Sequence, residues 1–107
     1  MLVNAGAETA FAAQVATEPL GPQHVLRDRP ALMGSEDFAF MLEHRPGCYL
    51  FLGNGDGAGS CMVHNPGYDF NDAAMHTGAA YWSLLVQRYL ASHARHPRRR
   101  TWTRCST

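Results

Sequence analysis

Lysine is absent from this 107-residue chain. All fixed positive charge is arginine, a set that fits a GC-rich coding sequence better than selection for a basic surface. Cysteine is scarce: Cys48, Cys61 and Cys105 form an odd set, which argues against a secreted disulfide framework and for a reducing compartment. No stretch comes near the roughly 18 apolar residues that a bilayer crossing requires, so no membrane partner is expected. The opening MLVNAGAETAFAAQVA has no basic leader, and Glu8 interrupts any apolar signal core. The expected location is therefore the cytoplasm. Internal repeats are missing too, which removes solenoid and propeller architectures.

What is present suffices for one small domain. Hydrophobic residues make up 46% of the chain, although at this length the buried fraction is modest and stability marginal. The formal charge of zero hides an asymmetry. Residues 1–90 hold nine acidic residues against four arginines, a net of −5, while residues 91–107 hold five arginines and no acid. From His93 onward the sequence has no periodicity and few apolar residues. The chain therefore divides into an ordered part, 1–92, and an arginine-rich tail, 93–107, expected to be disordered. The tail segment RHPRRRTWTR has arginines for phosphates and Trp102 for stacking on a base. Short basic ends of this kind are more often simply solvated, and nucleic-acid binding is not expected.

Periodicity predicts the elements. AETAFAAQVATE, 7–18, reads as a helix with Phe11, Ala12 and Val15 on one face, ended by Pro19 and Pro22. HVLRD reads as a short strand. SEDFAFMLEH reads as a second helix, capped by Ser35, with Glu36 and Asp37 in its first turn and Phe38, Met41 and Leu42 buried. CYLFLG, 48–53, reads as a strand buried on both faces, and GNGDGAGS as a flexible loop. Met75, Ala79, Trp82, Val86 and Tyr89 recur at steps of four and three, predicting a long helix with that stripe buried and with Asn71 or Asp69 as its cap. The order predicts an α/β fold, a small and mostly parallel sheet flanked by helices.

Several motifs suggest chemistry. Gly53, Gly55 and Ala58 match a dinucleotide fingerprint, but Pro66-Gly67 prevents the helix that must follow it to receive a pyrophosphate. Ser35 lacks the second glycine of a nucleophile elbow, so capping explains it better. Cys61 with His64 has no orienting third group for thiol catalysis. Cys61, His64, Asp69, Asp72 and His76 are all ligand types, yet the spacing holds no second tight pair of the kind that marks a zinc site.

Three stretches taken together, ETAFAA, MGSEDFAFMLEHRPGCYLFLGNG and VHNPGYDFNDAAMHTGAAYWSLL, resemble the C-terminal part of metal-dependent amidohydrolases of the aminoacylase and carboxypeptidase superfamily. Hippurate hydrolases, N-acyl-amino-acid hydrolases and auxin-conjugate hydrolases are the nearest members. The resemblance covers about residues 2–90. It implies the C-terminal part of a zinc-exopeptidase-like catalytic domain. It also implies hydrolysis of N-acyl amino acids with two divalent ions, commonly zinc, manganese, cobalt or nickel. By this resemblance His64 matches the last metal-ligand histidine. Ser35, Glu36, Asp37 and Phe38 match a motif bordering the active-site cleft, and Asp69 and Asn71 are candidates to hydrogen-bond around the ligand.

The family's remaining ligands, its adjacent glutamate pair and its lid domain have no counterpart in these residues: no Glu-Glu, Cys-Gly-His or His-x-Asp motif occurs. No catalytic residue is assigned within the chain, no ion is expected to bind it stably, and the chain is expected to be inactive alone. The rival expectation is a stand-alone binding or interaction module without catalysis.

Overall fold

A computed structural model of the chain describes residues 1–30, 32, 34 and 36–94. Ser35 and residues 95–107 lie outside the described residues, and with them the predicted Ser35 cap and most of the 93–107 tail. The ordered elements are helix α1 (Gly6–Leu20), a 3-10 turn (Pro22–His24), helix α2 (Phe38–His44) and helix α3 (Ala73–Ala94). His93 and Ala94, expected in the tail, close α3.

The expected α/β sheet does not form: among the described residues there is no strand. HVLRD begins inside the 3-10 turn. CYLFLG runs without a strand beside it, and a strand is defined by the hydrogen-bond ladder it shares with a neighbour. Its nearest substitute is a side chain. Asn4 accepts from the Tyr49 main-chain N–H through Oδ1 at 2.7 Å and donates to the Tyr49 carbonyl through Nδ2 at 2.9 Å. The Ala5 N–H completes the latch on the Gly47 carbonyl at 2.9 Å.

The core is the α1–α3 contact. Ala12 and Val15 of α1 are the buried hydrophobic residues, and Phe11 beside them is half-buried, so the predicted α1 face holds. The Tyr81 hydroxyl donates to the Ala12 carbonyl at 3.3 Å. Phe11 meets Tyr89 edge-on at 6.3 Å. At the far end the Arg88 guanidinium grips the Glu18 carboxylate with two nitrogens, Nε at 3.0 Å and Nη2 at 2.6 Å from Oε2. That hydrogen bond lowers the Glu18 pKa and raises that of Arg88. α1 runs past Pro19, because a proline in the last turn gives up one internal hydrogen bond without breaking the helix, and the chain turns at Gly21 instead.

The stripe of α3 predicted to be buried is exposed. Met75, Trp82 and Val86 are exposed, as is Tyr89 although its ring meets Phe11, and the half-buried residues are Ala74, Thr77, Gly78, Tyr81, Leu84 and Leu85. Positions 74, 78, 81, 85 and 88 repeat the same four-three spacing one residue earlier. α3 therefore carries two stripes of equal period, and the half-buried one meets α1 through Tyr81 and the extended segment through Gly78, which lies against Leu52.

In α2, Phe38 and Leu42 are half-buried, but Met41, expected inside, is exposed. Leu42 lies against Gly47, where a Cβ would come within 3.2 Å of its Cδ2. Phe38 stacks at a tilt on Tyr49, with centroids 5.6 Å apart. Among the described residues, none covers the outer face of this seven-residue helix, where Met41 lies.

Candidate functional site

The sequence places its candidates on the connection between Gly53 and α3, and the structure shows how that connection is held. It is closed at its neck by two asparagines. Asn54 donates through Nδ2 to the Asp69 carbonyl at 2.7 Å and accepts from the Asn71 N–H through Oδ1 at 2.8 Å. Asn71 returns its own Nδ2 to the Asn54 carbonyl at 3.3 Å, and its Oδ1 accepts from the Ala73 N–H at 3.0 Å. Asn71 is thus both the predicted cap of α3 and half of the bracket. An open polar hollow at this neck is lined by Asn54, Ser60, Asp69, Asn71 and Asp72.

One step further out the Asp69 N–H donates to the Gly59 carbonyl at 3.0 Å. Gly59 has a φ of +84°, and a Cβ there would sit 2.8 Å from that of Asp69. Only glycine tolerates both the left-handed backbone and the close approach. The segment between them makes two successive turns, Asn65 N–H to the Met62 carbonyl at 3.2 Å and Tyr68 N–H to the Asn65 carbonyl at 2.9 Å. The Asn65 side chain accepts from the Gly67 N–H at 2.9 Å and fixes the second turn.

His64 is the third residue of the first turn and the non-glycine residue with positive φ among those described, at +71°. A residue other than glycine in this region costs of order 1–3 kcal/mol and persists only where the surroundings enforce it. Its imidazole is exposed, at the outer end of a loop tied off at Gly59–Asp69 and again at Asn54–Asn71.

The remaining candidates fall elsewhere. Glu36 sits at the entry to α2: its Oε1 accepts from the Phe38 N–H at 3.3 Å, and its Oε2 accepts from the Tyr49 hydroxyl at 3.3 Å. The carboxylate charge beside that hydroxyl raises the Tyr49 pKa. Asp37 precedes the helix, makes no side-chain cap and is exposed. Cys61 is a free, exposed thiol, and Cys48 is a half-buried one whose pKa burial raises. Among the described residues no three His, Cys, Asp or Glu side chains stand where they could share a metal ion. The ligand types that the sequence offers are present, but among the described residues the fold does not converge them. Asn54 and Gly59 escaped the sequence reading, in which the stretch around them is only a flexible loop. Their signal was an asparagine and glycines interleaved without a following helix.

The sequence profile of Peptidase family M20/M25/M40 matches residues 1–88. The chain belongs to this family. Within M20/M25/M40 it is 34% identical over 90 residues to IAA-amino acid hydrolase ILR1-like 4 of Arabidopsis thaliana, covering 82% of this chain and 20% of that protein. It is 33% identical over 79 residues to ILR1-like 6 of the same plant, covering 72% and 17%. A probable hydrolase of Synechocystis is 37% identical over 59 residues, 53% of this chain and 15% of that protein. The chain spans about a fifth or less of the curated relatives it matches. No solved structure matches it. No helix of the described residues is long and apolar enough to cross a membrane.

Proposed function

We propose that this M20/M25/M40 chain is the C-terminal share of a catalytic domain that hydrolyses the amide of N-acyl amino acids, and that it is inactive alone. The observation that carries this reading is His64. A positive backbone φ and an exposed imidazole at the tip of a doubly bracketed loop support a ligand role in which the remaining ligands come from elsewhere. One imidazole cannot retain a divalent ion against water, and the described residues offer no cluster to help it. They do not make a metal site by themselves, so no hydrolytic step is assigned to this chain. In the whole enzyme His64 would supply one ligand for zinc, manganese, cobalt or nickel. Asp69 and Asn71 are the candidates to hydrogen-bond around that ligand, and Ser35, Glu36, Asp37 and Phe38 would border the cleft. The upstream part brings the remaining ligands, the carboxylate base and the lid.

The Arabidopsis relatives are IAA-amino acid hydrolases by name, which supports an amino-acid conjugate as substrate. The cytoplasm remains the proposed location, in line with the odd cysteine set and the free thiols of Cys48 and Cys61. A stand-alone module would need a closed core, which Ala12 and Val15 do not provide.

The test is hydrolysis of hippurate and of indole-acetyl amino acids with added manganese or zinc. The purified chain is expected to show no turnover, and turnover would refute the incomplete-enzyme reading. In a fusion of this chain to the upstream part of ILR1-like 4, His64→Ala is expected to lower activity about 100-fold or more. Unchanged activity would remove His64 from the site.

A further inference from the structure

Of the four asparagines in the chain, Asn54 alone is followed by glycine; the others precede Ala5, Pro66 and Asp72. An asparagine amide is lost when the main-chain nitrogen of the next residue attacks its Cγ, so the next residue decides how easily that nitrogen arrives. Glycine puts no side chain in the way and bends freely, whereas proline has no N–H to give up. Gly55 is exposed and has a φ of +83°. Among the described residues no main-chain carbonyl takes its N–H. The amide under attack, however, is tied. Asn54 donates through Nδ2 to the Asp69 carbonyl at 2.7 Å and accepts from the Asn71 N–H at 2.8 Å. Its carboxamide can turn onto the Gly55 nitrogen only when this neck opens. The neck in turn needs the amide. An ionised carboxylate accepts but does not donate, so at position 54 it would face the Asp69 carbonyl with no proton between them. It would also join Asp69 and Asp72, which line the same hollow as Asn54.

We infer that Asn54 is a site of deamidation, guarded by the neck while the neck is closed and unable to rebuild it once converted. The Gly55 nitrogen bonds to Cγ of Asn54, and the Cγ–Nδ2 bond breaks. The departing group takes the proton of the Gly55 N–H and leaves as ammonia, and a five-membered imide remains. Water then opens the ring. Addition at Cγ breaks the new bond to nitrogen and yields aspartate. Addition at the main-chain carbonyl carbon of Asn54 breaks the original peptide bond and yields isoaspartate, whose main chain runs through Cγ and is one carbon longer. One water is consumed and one ammonia released, and nothing is oxidised or reduced. Both products lack the Nδ2 donor. The loop that carries His64 is thereby released at its neck by a spontaneous covalent change. The inference stands on the bracket and on the Asn54–Gly55 pair, and does not depend on His64 holding a metal.

The experiment incubates the full chain in mildly alkaline buffer, folded and in urea. Peptide mapping by mass spectrometry follows amide turning to acid at each asparagine, and an ammonia assay follows the leaving group. Asn54 should convert before the other three, and more slowly in the folded chain than in urea. Asp56–Gly57 can close the same ring, but it loses and regains water without a change of mass, so the amide-to-acid signal there belongs to Asn54. Gly59→Ala loosens the Asp69 side of the bracket. It should speed the folded reaction and leave the rate in urea unchanged. Asn54→Asp supplies one product directly. Hydrogen exchange at its Asp69 amide should rise about fivefold or more, the worth of one lost hydrogen bond, while α1 amides stay protected. Earlier conversion of another asparagine overturns the proposal, as does an equal rate at Asn54 folded and in urea. Unchanged Asp69 exchange in Asn54→Asp overturns it as well, because the neck would then hold without its amide.

Discussion

The α1–α3 pair and the Gly53–Asp72 connection are held by opposite means. The helices meet through burial of Ala12 and Val15, with Tyr81 and the Glu18–Arg88 pair at the margin. The connection buries no side chain and is held by amide brackets and by turns. Burial is tolerant of direction, since a helix can turn either of two stripes of one spacing toward its neighbour, and in α3 the half-buried stripe is the one a residue earlier than the apolar pattern predicts. Hydrogen-bonded turns are directional, and a position such as His64 can be fixed by them without a core beneath. The difference teaches that in this chain the scaffold is weakly specified, whereas the candidate ligand is placed by local rules.

Substitutions in one region should leave the other untouched, and the largest effect is expected in the core. Val15→Asp puts an unpaired charge between α1 and α3, and because the margin of stability is small it should unfold the pair, read as loss of cooperative melting by circular dichroism. If the pair survives, Val15 is not the keystone that its burial indicates. Next is Gly59→Ala, which meets both the left-handed backbone and Asp69. A cost of about 1–3 kcal/mol should fall on the connection alone. Hydrogen exchange at the Asp69 amide should speed up while α1 amides stay protected, and equal loosening of both would show that the regions are coupled.

Smaller again is His64→Gly, which relieves the positive φ and should stabilise the connection by about 1 kcal/mol, even as it removes the ligand. Slower exchange at the Asn65 and Tyr68 amides would be the sign of that relief, and faster exchange would mean that His64 is not strained. The smallest effect is that of pH on Glu18. Its folded pKa is lowered from 4.5 by Arg88. Its contribution is therefore present above that unfolded value and is lost as pH falls through the lower folded one. Both partners are exposed, so the melting temperature should fall only slightly in this acid range relative to an Arg88→Ala control.

Helices were legible in the sequence because their signals are local. Ala12 and Val15 sit in an alanine-rich run of one period, and Asn71 precedes α3 at capping distance. The sheet was misread because CYLFLG carries strand composition but no neighbour to pair with, and pairing is a property of two segments. The inward face of α3 was misread because two stripes share one spacing, so periodicity names a set of faces and only the docked α1 chooses among them. His64 was singled out by resemblance and by its turn, whereas its left-handed backbone depends on φ, which no residue type announces. Asn54 and Gly59 were missed because a bracket spanning some 15 residues leaves no period.

The Gly59–Asp69 closure works as a ruler. It sets how many residues may lie between a fixed neck and the imidazole. One residue gained or lost there would swing that ring to another bearing, whereas a change of side chain at Met62 or Val63 would not. Among related sequences, residue count across this interval should vary less than residue identity.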